Sequence, residues 1–133
     1  MTGICDLGVL LRDMRPELSE KKYVFCTLPI DAFKALADCT PLCVVHEPEG
    51  VSLIMEETTA MATGLSYDGT YRKITLQVQS SLQAVGLTAA VSGALADQGI
   101  SANVVAAYYH DYIFVEMETA DQALDVLNRL SLA

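Results

Sequence analysis

Tryptophan is absent, and Phe and Tyr together supply only 7% of the 133 residues. Large rings therefore cannot dominate the interior, and Val, Leu, Ile and Ala must fill it. Basic residues are also scarce: 8 Lys and Arg face 17 Asp and Glu, a net charge of −9. Such a chain repels phosphate, which excludes nucleic-acid binding and disfavours anionic membrane surfaces. No apolar run is long enough to span a bilayer, because charge or Gly interrupts each one. The first eleven residues lack a basic region and a small-residue cleavage motif, so a secretory leader is not expected. No G-x-G-x-x-G or G-x-x-x-x-G-K-[ST] run exists to cradle a nucleotide phosphate. Only four cysteines occur, Cys5, Cys26, Cys39 and Cys43, with no paired C-x-x-C spacing. They read as reduced, small hydrophobes rather than as zinc ligands.

What is present is a folding sequence: 52% hydrophobic and 19% charged residues are too apolar for disorder. The polar, Gly-containing stretch 64–70 divides it into expected domains 1–66 and 67–133. In the second half, residues 73–79 alternate, with Ile74, Leu76 and Val78 on one face of a strand. Residues 80–86 form a loop. A helix over 87–98 carries Leu87, Val91, Ala94 and Leu95 as its apolar stripe, and Gly99 is placed to end it. Strands are expected over 100–109 and 112–118, with His110 and Asp111 as the turn between them. Thr119 or Asp121 caps a last helix bearing Ala123, Leu124, Leu127 and Leu130. The first half repeats this order with strands at 22–28, 42–47 and 51–56 and short helices at 30–37 and 58–64. A leading amphipathic helix carries Ile4, Leu7, Leu11 and Met14 and stops at Pro16.

Strand, helix, hairpin and helix, twice over, is an α+β, ferredoxin-like arrangement with antiparallel sheets and helices packed on one face. Within that class, the strand ending at Gln79, the Gly-containing loop, the small-residue helix and the run Asp97-Gln-Gly-Ile-Ser-Ala-Asn103 resemble an ACT domain. ACT domains are small regulatory modules of amino-acid metabolism. Residues 80–90, 99–106 and 108–111, with Glu47–Leu53 and Tyr23–Thr27, are similar to a bacterial family of short tandem ACT-like proteins. The resemblance implies tandem βαββα repeats and a regulatory protein that binds a small molecule, an amino acid above all. An ordinary ACT domain ends in a further strand. Here the last predicted element is a helix, which leaves one sheet position to be filled from the other half or another subunit.

The expected ligand site is the loop and helix start at Ser80, Ser81, Val85, Gly86, Leu87 and Thr88. The first N–H groups of a helix lack intrahelical partners and carry partial positive charge, so a carboxylate is favoured there. Gly86 admits a close approach to the backbone. The same hydroxyls could instead merely cap the helix. Asn103, beside Val104 on the next strand, offers both donor and acceptor to a ligand, or makes a structural bond. His110 and Asp111 would form a lid or a conformational turn. As neighbours on a strand they point apart, and no nucleophile completes a catalytic set, so an enzyme is not expected.

His46 and His110 with Glu47 and Asp111 show no local metal-ligand spacing, so neither a metal nor a cofactor is expected. Tyr108, Tyr109 and Tyr112 are assigned mainly to packing, Met55 and Met61 to the core, and Glu116, Glu118, Asp121 and Asp125 to a solvated face. The reading is a cytoplasmic, homo-oligomeric (dimeric) sensor with its ligand where the two ACT-like domains meet. The alternative is a structural or protein-interaction module that completes its sheet with another subunit and holds no small ligand.

Overall fold

The computed structural model describes residues 6–36, 39–79, 81 and 84–132. The elements are α1 (Leu7–Arg12), β1 (Pro16–Leu28), α2 (Ile30–Lys34), β2 (Cys43–Glu47), β3 (Gly50–Glu56), α3 (Glu57–Thr63), β4 (Tyr71–Leu76), α4 (Leu87–Asp97), β5 (Asn103–Ala106), β6 (Asp111–Glu116) and α5 (Ala120–Leu132). The α+β class and the order of elements follow the sequence reading. The chain forms two compact units, residues 21–71 and residues 1–20 with 72–133. These differ from the halves 1–66 and 67–133, because the N-terminal segment packs with the C-terminal part.

In the second of these units the strand order is β1, β4, β6, β5, with β1 contributing residues 16–20. The Arg72 side chain donates to the Ser19 carbonyl at 2.7 Å, and the Gln77 amide donates to Glu17 at 3.0 Å. Residues 16–20 thus occupy the sheet position next to β4 that the helix-terminated repeat leaves open. β1 starts at Pro16, six residues ahead of the expected strand. Proline is tolerated at the first position of a strand, and beyond it Leu18 packs against the core while Glu17 is exposed. Leu10 and Met14 are fully buried with Leu87, Val91 and Leu95 of α4, Ala120, Ala123, Val126 and Leu127 of α5, and Ile74, Leu76, Ile113 and Val115 of the sheet. Leu10 was not on the expected stripe. It is buried because the Asp6 carboxylate accepts the Val9 N–H at 3.1 Å and starts the helix there, which turns Leu7 outward. Ile4 and Cys5 lie outside the described residues.

In the unit of residues 21–71 the order is β2, β3, β1, all antiparallel. Val51, Leu53 and Met55 alternate along β3 and join Val24, Cys26 and Ala60 in a separate core. Cys26 is a buried free thiol, whereas Cys39 and Cys43 are half-buried and free. Burial, with Cys39 close by, pushes the Cys26 thiol above its ordinary pKa. Met61 is 66% exposed, against its core assignment. Ala60 takes the inward position on α3, and the next residue is rotated about 100° away. α2 is observed over 30–34, and Ala37, the expected end of that helix, lies outside the described residues.

Three further expectations are corrected. The strand expected over 100–109 is only β5, residues 103–106. Ile100 belongs to the stop of α4, where its N–H bonds the Leu95 carbonyl at 3.0 Å and Gly99 N–H bonds Ala96 at 2.9 Å. Gly99, at φ 72°, makes that reversal without a Cβ penalty, and Ile100 and Leu95 share the core. Tyr108 and Tyr109 are exposed, ring against ring at 5.0 Å, because they occupy the turn rather than a strand. Thr119 does not cap α5: its hydroxyl donates back to the Glu116 carbonyl at 3.2 Å within a short 3-10 turn, Met117–Thr119.

Candidate functional site

The hairpin of β5 and β6 decides which side chain reaches the start of α4. Its register pairs Asn103 with Phe114, Val104 with Ile113, Val105 with Tyr112 and Ala106 with Asp111. Ala107 N–H bonds the His110 carbonyl at 3.1 Å and closes the turn. His110 is therefore in the turn and Asp111 is the first residue of β6. Asp111, Ile113 and Val115 share one face of that strand, and the latter two are core residues. An acidic residue thus occupies a position whose periodicity calls for an apolar one. Asp111 is 8% exposed.

Above it lies the start of α4. Gly86 is the N-cap, at φ 100°, where a residue with a Cβ is strained. A Cβ there would also meet the Leu7 side chain at 3.1 Å. The first intrahelical bond runs from Ala90 N–H to the Gly86 carbonyl at 2.8 Å. The N–H groups of Leu87, Thr88 and Ala89 precede it and belong to the set with no intrahelical acceptor. Gly86 has no side chain to cap them.

These parts surround one pocket of about 140 Å³, lined by Ser81, Ala84, Gly86, Leu87, Thr88, Ala106 and Asp111. All seven belong to the unit of residues 1–20 and 72–133. The structure thus brings together Ser81, Gly86, Leu87, Thr88 and Asp111 from the expected set. Ser80 lies outside the described residues. Val85 is 82% exposed and is not part of the lining. Asn103 and Val104 do not line it either. The Asn103 amide donates to the Phe114 carbonyl at 3.5 Å, and Val104 packs against the core. Ala84 and Ala106 were missed. Ala106 was reachable through the register opposite Asp111, whereas nothing in the sequence marks Ala84.

The electrostatics of the pocket are asymmetric. The helix start is a donor region, and among the described residues of the lining Asp111 is the one that ionises. Burial pushes its carboxyl above the ordinary carboxylate value, and His110 beside it pulls the other way. Among the described residues, its carboxylate accepts no hydrogen bond, and the buried His110 Nδ1 has no hydrogen-bond partner. The lining therefore combines the donors of a helix start with a carboxylate that has no hydrogen-bond partner among the described residues. Among the described residues no group of His, Cys, Asp and Glu is arranged to hold a metal. His46 stands edge-on to Phe33 at 5.9 Å. No helix among them is long and apolar enough to cross a membrane.

Two family models, both described as ACT domain, match residues 2–72 and 66–129. Among curated proteins none matches the chain. A solved structure of a Vibrio cholerae protein of unknown function, described as a possible transport protein, is 45% identical. It superposes with a TM-score of 0.80 over 94% of this chain and 95% of that one. An Agrobacterium tumefaciens protein is 16% identical, with a TM-score of 0.70 over 87% of each chain. The ligand-free regulatory subunit of aspartate kinase from Thermus thermophilus is 12% identical, with a TM-score of 0.68 over 86% of this chain and 95% of that one. The last two likenesses are of fold. With two family models covering nearly its whole length, the chain belongs to the ACT domain family of regulatory modules.

Proposed function

We propose that this protein is a non-enzymatic sensor that binds a small amino acid in the pocket at the start of α4. Its sequence repeats, 1–66 and 67–133, are tandem ACT-like domains, and the pocket belongs to the second repeat. The ligand carboxylate takes the N–H groups of Leu87 to Ala89, helped by the hydroxyls of Ser81 and Thr88. The observation that carries the reading is the open pocket whose lining holds both a helix start and a buried acid. Its modest volume and the small side chains of Ala84 and Ala106 favour a compact ligand. Occupancy would then bias an oligomeric or partner-bound state through its differential affinity for the two states. The regulatory subunit of aspartate kinase that shares this fold supports the same direction.

The second reading, an interaction module in a homo-oligomer, rests on β2. That strand is outermost in its unit, and Val44 and Val45 are 39% and 49% exposed. Thermal melts with each proteinogenic amino acid separate the two. The sensor reading expects one or a few to raise Tm in a concentration-dependent way, by about 2.7 kcal/mol of stabilisation at a hundredfold excess over Kd. A stable oligomer by light scattering whose Tm ignores every amino acid at millimolar concentration would instead support the second.

A further inference from the structure

Resting on that reading of the pocket, we infer that Asp111 is its specificity-determining residue, selecting α-amino acids over the 2-hydroxy acids of the same skeleton. A carboxylate alone does not distinguish these two ligand classes, because the helix start would bind either. The distinction must come from the group on the neighbouring carbon. Asp111 lines the pocket together with Gly86, Leu87 and Thr88 and is more than nine-tenths buried. It accepts no hydrogen bond among the described residues. The remaining lining side chains, Ser81, Ala84, Leu87, Thr88 and Ala106, carry no charge.

Consider what each ligand does to that acid. A zwitterion presents an ammonium, which supplies a charge-assisted hydrogen bond and neutralises the buried charge. A hydroxy acid brings a net negative charge into a confined space that already holds one. Like charges in low-dielectric surroundings repel strongly, and the hydroxyl returns only a neutral-donor bond. The acid therefore favours the amine and disfavours its oxygen analogue. Selection through a charged acceptor is sharper than selection by shape, since the wrong ligand brings repulsion and only a neutral donor to it. His110, the preceding residue, is not in the lining, and its buried Nδ1 has no hydrogen-bond partner among the described residues.

The test is calorimetric titration of the intact protein with four matched pairs: L-alanine and L-lactate, L-serine and L-glycerate, L-aspartate and L-malate, L-leucine and L-2-hydroxyisocaproate. For the wild type, at least one amino acid should bind about tenfold or more tightly than its hydroxy partner. In Asp111→Asn, which keeps the shape of the side chain, that amino acid should weaken about tenfold while the hydroxy acid binds as well as before or better. Equal binding within each pair by the wild type overturns the inference and leaves the pocket reading standing. So does discrimination that persists in Asp111→Asn. If no member of any pair binds, the sensor reading falls and this inference with it.

Discussion

Replacing Ile113 with Ala should destabilise the fold by about 2–5 kcal/mol, the range for removing a buried aliphatic side chain from a well-packed interior. Ile113 is fully buried on β6, in the core that the sheet shares with α4 and α5, two residues along the strand from Asp111. The loss has two parts: the transfer of the removed methylenes and the void that the surrounding Leu and Val side chains fill only in part. The chain has no Trp and few other rings with which to refill such a space. For a domain of this size the melting temperature should fall by roughly 8–20 °C. Chemical denaturation read by circular dichroism measures it. A loss under about 1 kcal/mol would mean that the helical layer is far looser than its burial indicates.

The second large effect is a contrast between two glycines on the same helix. Gly86→Ala places a Cβ at φ 100°, against the Leu7 side chain at 3.1 Å, and should cost about 1–3 kcal/mol. Gly93→Ala, in the interior of α4 with no atom within 4 Å of the new Cβ, should stabilise by about 0.5–1 kcal/mol. One chemical change thus carries opposite signs at two positions seven residues apart. The reason is that Gly93 is helical and its entropy is wasted, whereas Gly86 makes the bend that starts the helix. Gly86→Ala should also weaken amino-acid binding, because the bend sets where the N–H groups point. Paired urea titrations read both signs. Two substitutions of equal sign would remove the argument that Gly86 is there for its conformation.

Much of the framework around the candidate site is legible in the sequence. The alternation of Ile74, Leu76 and Val78, the stripe Leu87-Val91-Leu95 and the stop at Gly99 each follow from local periodicity and capping. That is enough to put a loop and a helix start beside a hairpin. Reading the burial of Asp111 from the sequence depends on a boundary. Placed in a turn with His110, it reads as exposed; with the strand begun one residue earlier, it is the first position of β6 and shares a face with Ile113 and Val115. Only hairpin register, which the non-standard turn dipeptide leaves open, distinguishes the two. The packing of α1 was illegible for another reason. Its apolar residues show that it has a buried face but not which part of the chain covers it, and Pro16 reads equally as a stop or as the first residue of a strand.

The central claim is that the space between the start of α4 and Asp111 receives an amino acid. The most direct measurement is a titration of ¹⁵N-labelled protein with amino acids, followed through the backbone amides. The account predicts saturable shifts concentrated at Leu87, Thr88, Ala89, Ala106 and Asp111, with the amides of β2 unmoved. Saturable shifts on other surfaces while those five stay still, or no shift with any amino acid at millimolar concentration, would contradict it.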